Sequence, residues 1–133
     1  MRLYPIALLT ALLGMFAQAE VNVFDKPVLS GRHLRLLDMM NASHARNDFE
    51  GMEAVCRQGV RLGTADALWN YNLACAQALQ GNANAALAAL EQAVEQGFAD
   101  AEHARLDPDL AALRDSDDFK TLLKRMERLQ TTG

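Results

Sequence analysis

Residues 65–98 read ADALWNYNLACAQALQGNANAALAALEQAVEQGF, and this stretch decides the fold. Apolar residues recur every three or four positions on both sides of Gly81, which is the spacing of amphipathic helices. Gly81 and Gly97 each follow an apolar stripe, at the place where glycine commonly ends a helix. Because the link at Gly81 is short, we expect the two helices to pack antiparallel as a hairpin.

The same spacing recurs 34 residues earlier, where Asp48 aligns with Asn82, Gly59 with Ala93 and Gly63 with Gly97. Helical hairpins repeated with this period are typical of tetratricopeptide repeats. Residues 65–98 resemble one such repeat through Asn72-Leu73-Ala74, Gly81, Ala86, Leu90 and Ala93. Residues 30–64 resemble a more divergent hairpin of the same type, with Ser30 as the N-cap of its first helix.

Composition agrees with a helical chain of one domain. The 133 residues are 50% hydrophobic, with 8 Gly and 3 Pro, and Ala and Leu are common while β-branched residues are few. The formal net charge of −4 excludes nucleic acid as the main ligand, because phosphate binding needs a clustered excess of Lys and Arg.

The N-terminal segment predicts export. Arg2 precedes an uncharged run from Ile6 to Phe16, and Ala17-Gln18-Ala19 matches the small-x-small pattern of signal peptidase sites. We therefore expect a signal peptide over residues 1–19, with cleavage between Ala19 and Glu20, and a periplasmic or secreted location. An uncleaved anchor is the alternative. The run is too short to span a bilayer comfortably, so no stable membrane insertion is expected after cleavage.

Residues 20–29 are predicted to be an extended or mobile arm, since they contain Pro27 and adjoin the new N-terminus. At the other end we expect terminal capping helices over residues 99–130 and a tail over 131–133. Asp100, Asp107-Pro108 and Asp115 or Ser116 supply helix starts, and an apolar stripe begins at Phe119. This last quarter resembles the closing segment that follows bacterial tetratricopeptide repeats.

The resemblance implies an all-α, right-handed solenoid of helical hairpins, with about two repeats and a C-terminal capping helix. It also implies a concave groove lined by the first helix of each hairpin. The groove residues implied are Leu34, Leu37, Asp38 and Asn41 in the first hairpin, and Leu68, Tyr71, Asn72 and Cys75 in the second. Asn72 matches an asparagine that binds the ligand backbone in peptide-binding relatives, and its alternative role is an intramolecular hydrogen bond that braces the hairpin.

The remaining polar residues give weak signals for chemistry. Cys56 and Cys75 lack a CxxC spacing, so they form either a disulfide or two free thiols, and Cys75 is the candidate for a thiol-dependent enzyme. The three histidines are scattered and predict no metal site, which leaves surface or boundary positions for them. The acidic cluster from Asp107 to Asp118 does not match a calcium loop and is interpreted as helix capping and solvation.

The sequence therefore predicts a noncatalytic scaffold or assembly module in the cell envelope, with another protein or peptide as its partner. No cofactor, metal or nucleic acid is expected. A self-associating structural envelope protein is the first alternative, with weak self-association through the arm and the cap. A thiol-dependent enzyme that uses Cys75 is the remote alternative.

Overall fold

The computed structural model describes residues 30–63 and 66–133, and these ranges are helical without any β-strand. The helices are α1 (Gly31–Ala45), α2 (Phe49–Arg61), α3 (Asp66–Leu79), α4 (Ala83–Glu95), α5 (Ala101–Leu106), a 3-10 helix (Pro108–Leu113) and α6 (Asp117–Thr132). The all-α prediction is confirmed. The signal peptide over residues 1–19, its cleavage between Ala19 and Glu20, and the arm over 20–29 lie outside the described residues.

The predicted helix starts are confirmed where an acidic or hydroxyl side chain caps the first turn. Asp48 accepts a hydrogen bond from the Gly51 amide, Asp100 from the His103 amide, and Ser116 from the Phe119 amide. Ser30 occupies the N-cap position of α1 but makes no capping bond, because its hydroxyl lies 2.9 Å from Nδ1 of His33. Its predicted capping role is therefore corrected.

The 34-residue period also appears in the backbone. Asn47 and Gly81, 34 residues apart, both have positive φ angles, of 57° and 81°. Gly63 and Gly97 form a second such pair, with φ angles of 68° and 102°. Left-handed backbone at these positions ends each helix and turns the chain into the next one. The two hairpins are thus closed by turns of the same handedness at equivalent places.

Helix α3 is the centre of the domain. It packs against α2 on one side and α4 on the other, and every residue from Ala67 to Ala78 is buried. Close approach of the helices depends on small residues, as at Ala74, Ala86 and Ala93, none of which is exposed. The remaining helices cover this core, with α1 against α2 and α6 against α4 and α5.

After α4 the chain departs from the helix lengths of the two hairpins. Asp100 is the N-cap of α5 and lies 34 residues after Asp66, the first residue of α3, yet α5 ends at Leu106. Pro108 follows, which disfavours helical backbone at Asp107, and Asp107 is extended with ψ of 116°. The chain then forms the 3-10 helix, which packs on α3, before α6. Helix α6 continues through Thr132, into the residues predicted as a tail, 131–133.

Among residues 30–63 and 66–133, no helix combines the length and the apolar character that crossing a bilayer would require.

Candidate binding face and its buried carboxylates

Most of the predicted groove residues are covered. Leu34 and Asp38 are exposed and Asn41 is half-buried, whereas the other five are buried: Leu37, Leu68, Tyr71, Asn72 and Cys75. The expectation of an open groove along α3 is therefore corrected. For Tyr71 and Cys75 the physical reason is the early end of α5, after which residues 107–113, here called the inserted segment, pack on α3 and place Asp107 against both side chains.

The inserted segment is held on α3 by both polar and apolar contacts. The Tyr71 hydroxyl donates a 2.7 Å hydrogen bond to Oδ2 of Asp107, and Sγ of Cys75 lies 3.8 Å from the same oxygen. Leu110 and Leu113 of the segment are buried in the core. The Tyr71 ring also stacks on Phe98, with ring centroids 4.3 Å apart. Tyr71 thus contacts both Phe98, in the link that follows α4, and the inserted segment.

A second anchor comes from the first hairpin. Nε2 of His44, on α1, lies 3.0 and 3.1 Å from the two carboxylate oxygens of Asp109, and both side chains are buried. The hydrogen bond to Asp109 raises the pKa of His44 by more than burial lowers it. This contact joins α1 to the inserted segment across 65 positions of sequence.

His103 and Asp107 form the third anchor. Nε2 of His103 lies 3.5 Å from Oδ2 of Asp107, and the carboxylate raises the pKa of His103. Burial raises the pKa of Asp107, but hydrogen bonds from His103, Tyr71 and the Asp109 amide lower it by a larger amount. The pKa of Asp107 therefore lies below its ordinary value. Asp107 is therefore a carboxylate that stays ionised although it is 7% exposed.

Cys75 adds a thiol to this group. Its Sγ and carboxylate oxygens of Asp107 and Asp109 lie within 4.8 Å of one another, close enough to be considered as ligands of one metal ion. Burial, with the nearby carboxylates, raises the pKa of Cys75, so that the thiol is protonated at neutral pH. A protonated, buried thiol is a poor nucleophile and a poor metal ligand. Cys56 is also buried, and both cysteines are free thiols.

Two asparagines leave an acceptor without a partner. The Asn72 side chain donates to the carbonyl of Leu68 in its own helix, at 3.0 Å, so it does not brace the two helices of the hairpin. Its Oδ1, and Oδ1 of Asn41 on α1, are buried and accept no hydrogen bond from the described residues. A buried amide oxygen that accepts no hydrogen bond costs desolvation free energy, which a donor from a partner or from water would offset.

Sequence reasoning missed the site roles of Asp107, Asp109, His44 and His103. Surface or boundary positions were predicted for the histidines, which is wrong for His33 and His44, because both are buried. The cap at Asp107 was predicted and is confirmed, since its Oδ1 accepts from the Asp109 amide at 3.0 Å. Solvation was predicted for the whole acidic cluster and is wrong for Asp107 and Asp109, because both are buried. The Asp107-Pro108-Asp109 sequence, four residues after His103, was the available signal. It does not reveal the pairing, which depends on where Pro108 directs the chain.

Comparison with curated proteins finds a partial relative, a chloroplastic protein of Arabidopsis thaliana. It is 43% identical over 58 residues, which cover 44% of this chain and 17% of the relative. The chain thus matches less than a fifth of that protein's length. No protein-family model matches the chain. No solved structure matches it either.

This similarity corrects the expected location. The name of the Arabidopsis protein places that protein in the chloroplast, which conflicts with the periplasmic or secreted location expected for this chain. That expectation rested on residues 1–19 and on their resemblance to a signal peptide. The periplasmic or secreted assignment is therefore withdrawn.

Proposed function

We propose that the chain is a tetratricopeptide-type module that binds another protein or peptide and catalyses no reaction. Four main helices of 13 to 15 residues, arranged as consecutive hairpins, support this interpretation. The 34-residue period, seen both in the sequence and in the positive φ angles, supports it further. Such repeats usually act by presenting a surface to a partner.

The observation that carries the proposal is a strip on α1, formed by Leu34, Asp38 and Asn41. These residues share one side of the helix, since they follow one another at intervals of four and three. Leu34 is 53% exposed although it is apolar, and Oδ1 of Asn41 lacks a donor among the described residues. A peptide that brings an apolar side chain would cover Leu34, and its backbone N–H would reach Oδ1 of Asn41, which is buried in the free chain, after rotation of the Asn41 side chain.

The neighbouring surface already holds a peptide segment of the chain itself. The inserted segment rests on α3 and reaches α1 through the His44–Asp109 contact. A face that holds a short segment through side-chain contacts is suited to recognising another. The α1 strip lies beside this occupied surface, because Asn41 and His44 are adjacent on the same helix turn.

A thiol-dependent reaction has less support. Cys75 is buried, and burial raises its pKa, whereas a catalytic thiol needs access and a lowered pKa. We therefore favour binding over thiol chemistry.

Site-specific photocrosslinking tests the proposal. A benzoylphenylalanine is placed at Leu34, on the strip, or at Ala54, an exposed position on α2, and the protein is irradiated in extract of its source. We expect one specific adduct from position 34 that position 54 does not give. The captured partner is then purified and its Kd is measured with Leu34→Ala, Asn41→Ala and, as the control, Lys120→Ala on α6.

The strip variants should weaken binding by about tenfold or more, and the control should bind as the wild type does. Equal Kd values for all variants would contradict the α1 strip as the binding surface. An adduct of two copies of the chain would favour the self-associating alternative over a separate partner.

A further inference from the structure

The inserted segment lies where the sequence predicts a ligand. Tyr71 and Cys75, two of the predicted groove residues, contact Asp107, and α3 packs along the 3-10 helix. The segment has extended backbone at Asp107 and a short 3-10 turn after it, so it meets α3 as a peptide would rather than as a packed α-helix. It is an occupant supplied by the same chain.

Two buried carboxylates anchor this occupant. Asp107 and Asp109 are each 7% exposed, and among the described residues their cationic ion-pair partners are His103 and His44. The Arg114 guanidinium lies nearby but donates to backbone carbonyls, those of Arg105 and Asp107. The ion-pair partners of the two carboxylates are therefore imidazoles, which can lose their protons, whereas the Arg114 guanidinium keeps its charge but contacts the backbone.

Among the described residues, no side chain other than the two histidines forms an ion pair with either carboxylate. From α3, Tyr71 and Cys75 face the carboxylates as neutral donors. From α5, Asp100 adds a further negative charge near His103. When both histidines are protonated, the two positive and two negative charges cancel. When both are neutral, two buried carboxylates share only neutral donors, which is a costly state.

We propose that the inserted segment is an intramolecular occupant of the binding face, latched by protonated His44 and His103 and released when these histidines lose their protons. This inference rests on the proposed function, since it treats the covered surface of α3 as part of the face that a partner uses. Release would expose Tyr71 and Cys75, the two α3 side chains that contact Asp107.

Two cysteines of the chain can report release of the inserted segment. Cys75 is buried beneath the inserted segment, 3.8 Å from Asp107. Cys56 is buried on α2, which packs against α1 and α3. Alkylation of Cys75 thus measures opening of the latch, and alkylation of Cys56 measures opening of the hairpins. Both rates are divided by that of a model thiol at the same pH, because thiolate fraction rises with pH.

The experiment follows iodoacetamide labelling of the full chain at about pH 6 and about pH 9, on either side of the ordinary histidine pKa. In the wild type we expect the ratio of the Cys75 labelling rate to the Cys56 labelling rate to rise by about tenfold or more from the lower pH to the higher pH. His44→Gln/His103→Gln should give a high ratio at both values of pH. Asp107→Asn/Asp109→Asn, whose carboxylates are replaced by neutral amides, should give a ratio that does not change with pH.

Arg105→Gln is the matched control, because Arg105 pairs with the exposed Glu102 and Glu127 rather than with the buried carboxylates. It should keep the wild-type change with pH. If a double variant labels rapidly at both cysteines it is unfolded, and the wild-type titration with the Arg105→Gln control then decides. A wild-type ratio that stays constant, or rises equally in Asp107→Asn/Asp109→Asn, would overturn the latch. No partner is needed in this test, so its failure leaves the proposed binding function intact.

Discussion

Gly59 lies directly against the indole of Trp69: a Cβ built on Gly59 would fall 2.1 Å from Cδ2 of the ring. Trp69 has no exposed surface, and α2 and α3 approach each other at this point. The absence of a side chain on α2 therefore creates the space for the largest side chain on α3. The residue equivalent to Gly59 in the next hairpin is Ala93, which carries a methyl group.

Gly59→Ala should destabilise the fold. The added methyl group overpacks the core by an amount that exceeds the gain in helix propensity, and we expect a net loss of about 2 kcal/mol in the free energy of unfolding. Gly31→Ala is the control, because a Cβ at Gly31 meets nothing within 4 Å. Urea unfolding of both variants gives the measurement. Equal stability of the two would contradict the packing described here.

The helix caps give a second prediction. Asp48 accepts a 2.9 Å hydrogen bond from the Gly51 amide, whereas Asn82, its equivalent in the second hairpin, makes no capping bond. Asp48→Ala should therefore cost about 1 kcal/mol, and Asn82→Ala clearly less. Thermal unfolding followed by circular dichroism distinguishes them. A larger loss for Asn82→Ala would be the opposite of this expectation.

Sequence reasoning succeeded where local signals decide the structure. The apolar period and the glycines located α3 and α4, and the acidic and hydroxyl residues located the starts of α5, the 3-10 helix and α6. It failed at the candidate site, because that site brings together residues that are far apart in the sequence. The pairing of His44 with Asp109 follows from the path of the chain after Pro108, and no local pattern specifies that path.

The Tyr71 hydroxyl gives a third prediction. Tyr71→Phe keeps the stacking on Phe98 but removes the 2.7 Å hydrogen bond to Asp107, and we expect a loss of about 1 to 3 kcal/mol in unfolding free energy. In the background of Asp107→Asn the same change should cost less, because the charged acceptor is already gone. Equal costs in the two backgrounds would show that the hydroxyl does not stabilise the carboxylate.

The free energy of unfolding should decrease both at high pH and at low pH. The carboxylates raise the pKa of His44 and of His103 above the ordinary 6.5, so their stabilisation is complete below that value and is lost as pH rises through the folded-state pKa values. The pKa of Asp107 is lowered, so its stabilisation is present above its ordinary pKa and is lost as pH falls through the folded-state value.

The unfolding free energy should therefore pass through a maximum between these two limits. Denaturant unfolding across the pH range measures it, and His44→Gln/His103→Gln should lose the decline on the alkaline side. An alkaline decline of the same size in this variant would assign the effect to other groups.

A double-mutant cycle on His44 and Asp109 measures the coupling energy between the first hairpin and the inserted segment. Unfolding free energies of the wild type, His44→Gln, Asp109→Asn and the double variant are measured at about pH 6, where the histidine is protonated. We predict a coupling energy of about 1 to 3 kcal/mol, because the two buried side chains bond directly at 3.0 Å. Losses that simply add, within about 0.5 kcal/mol, would contradict the contact and with it the placement of residues 107–113 beside α1.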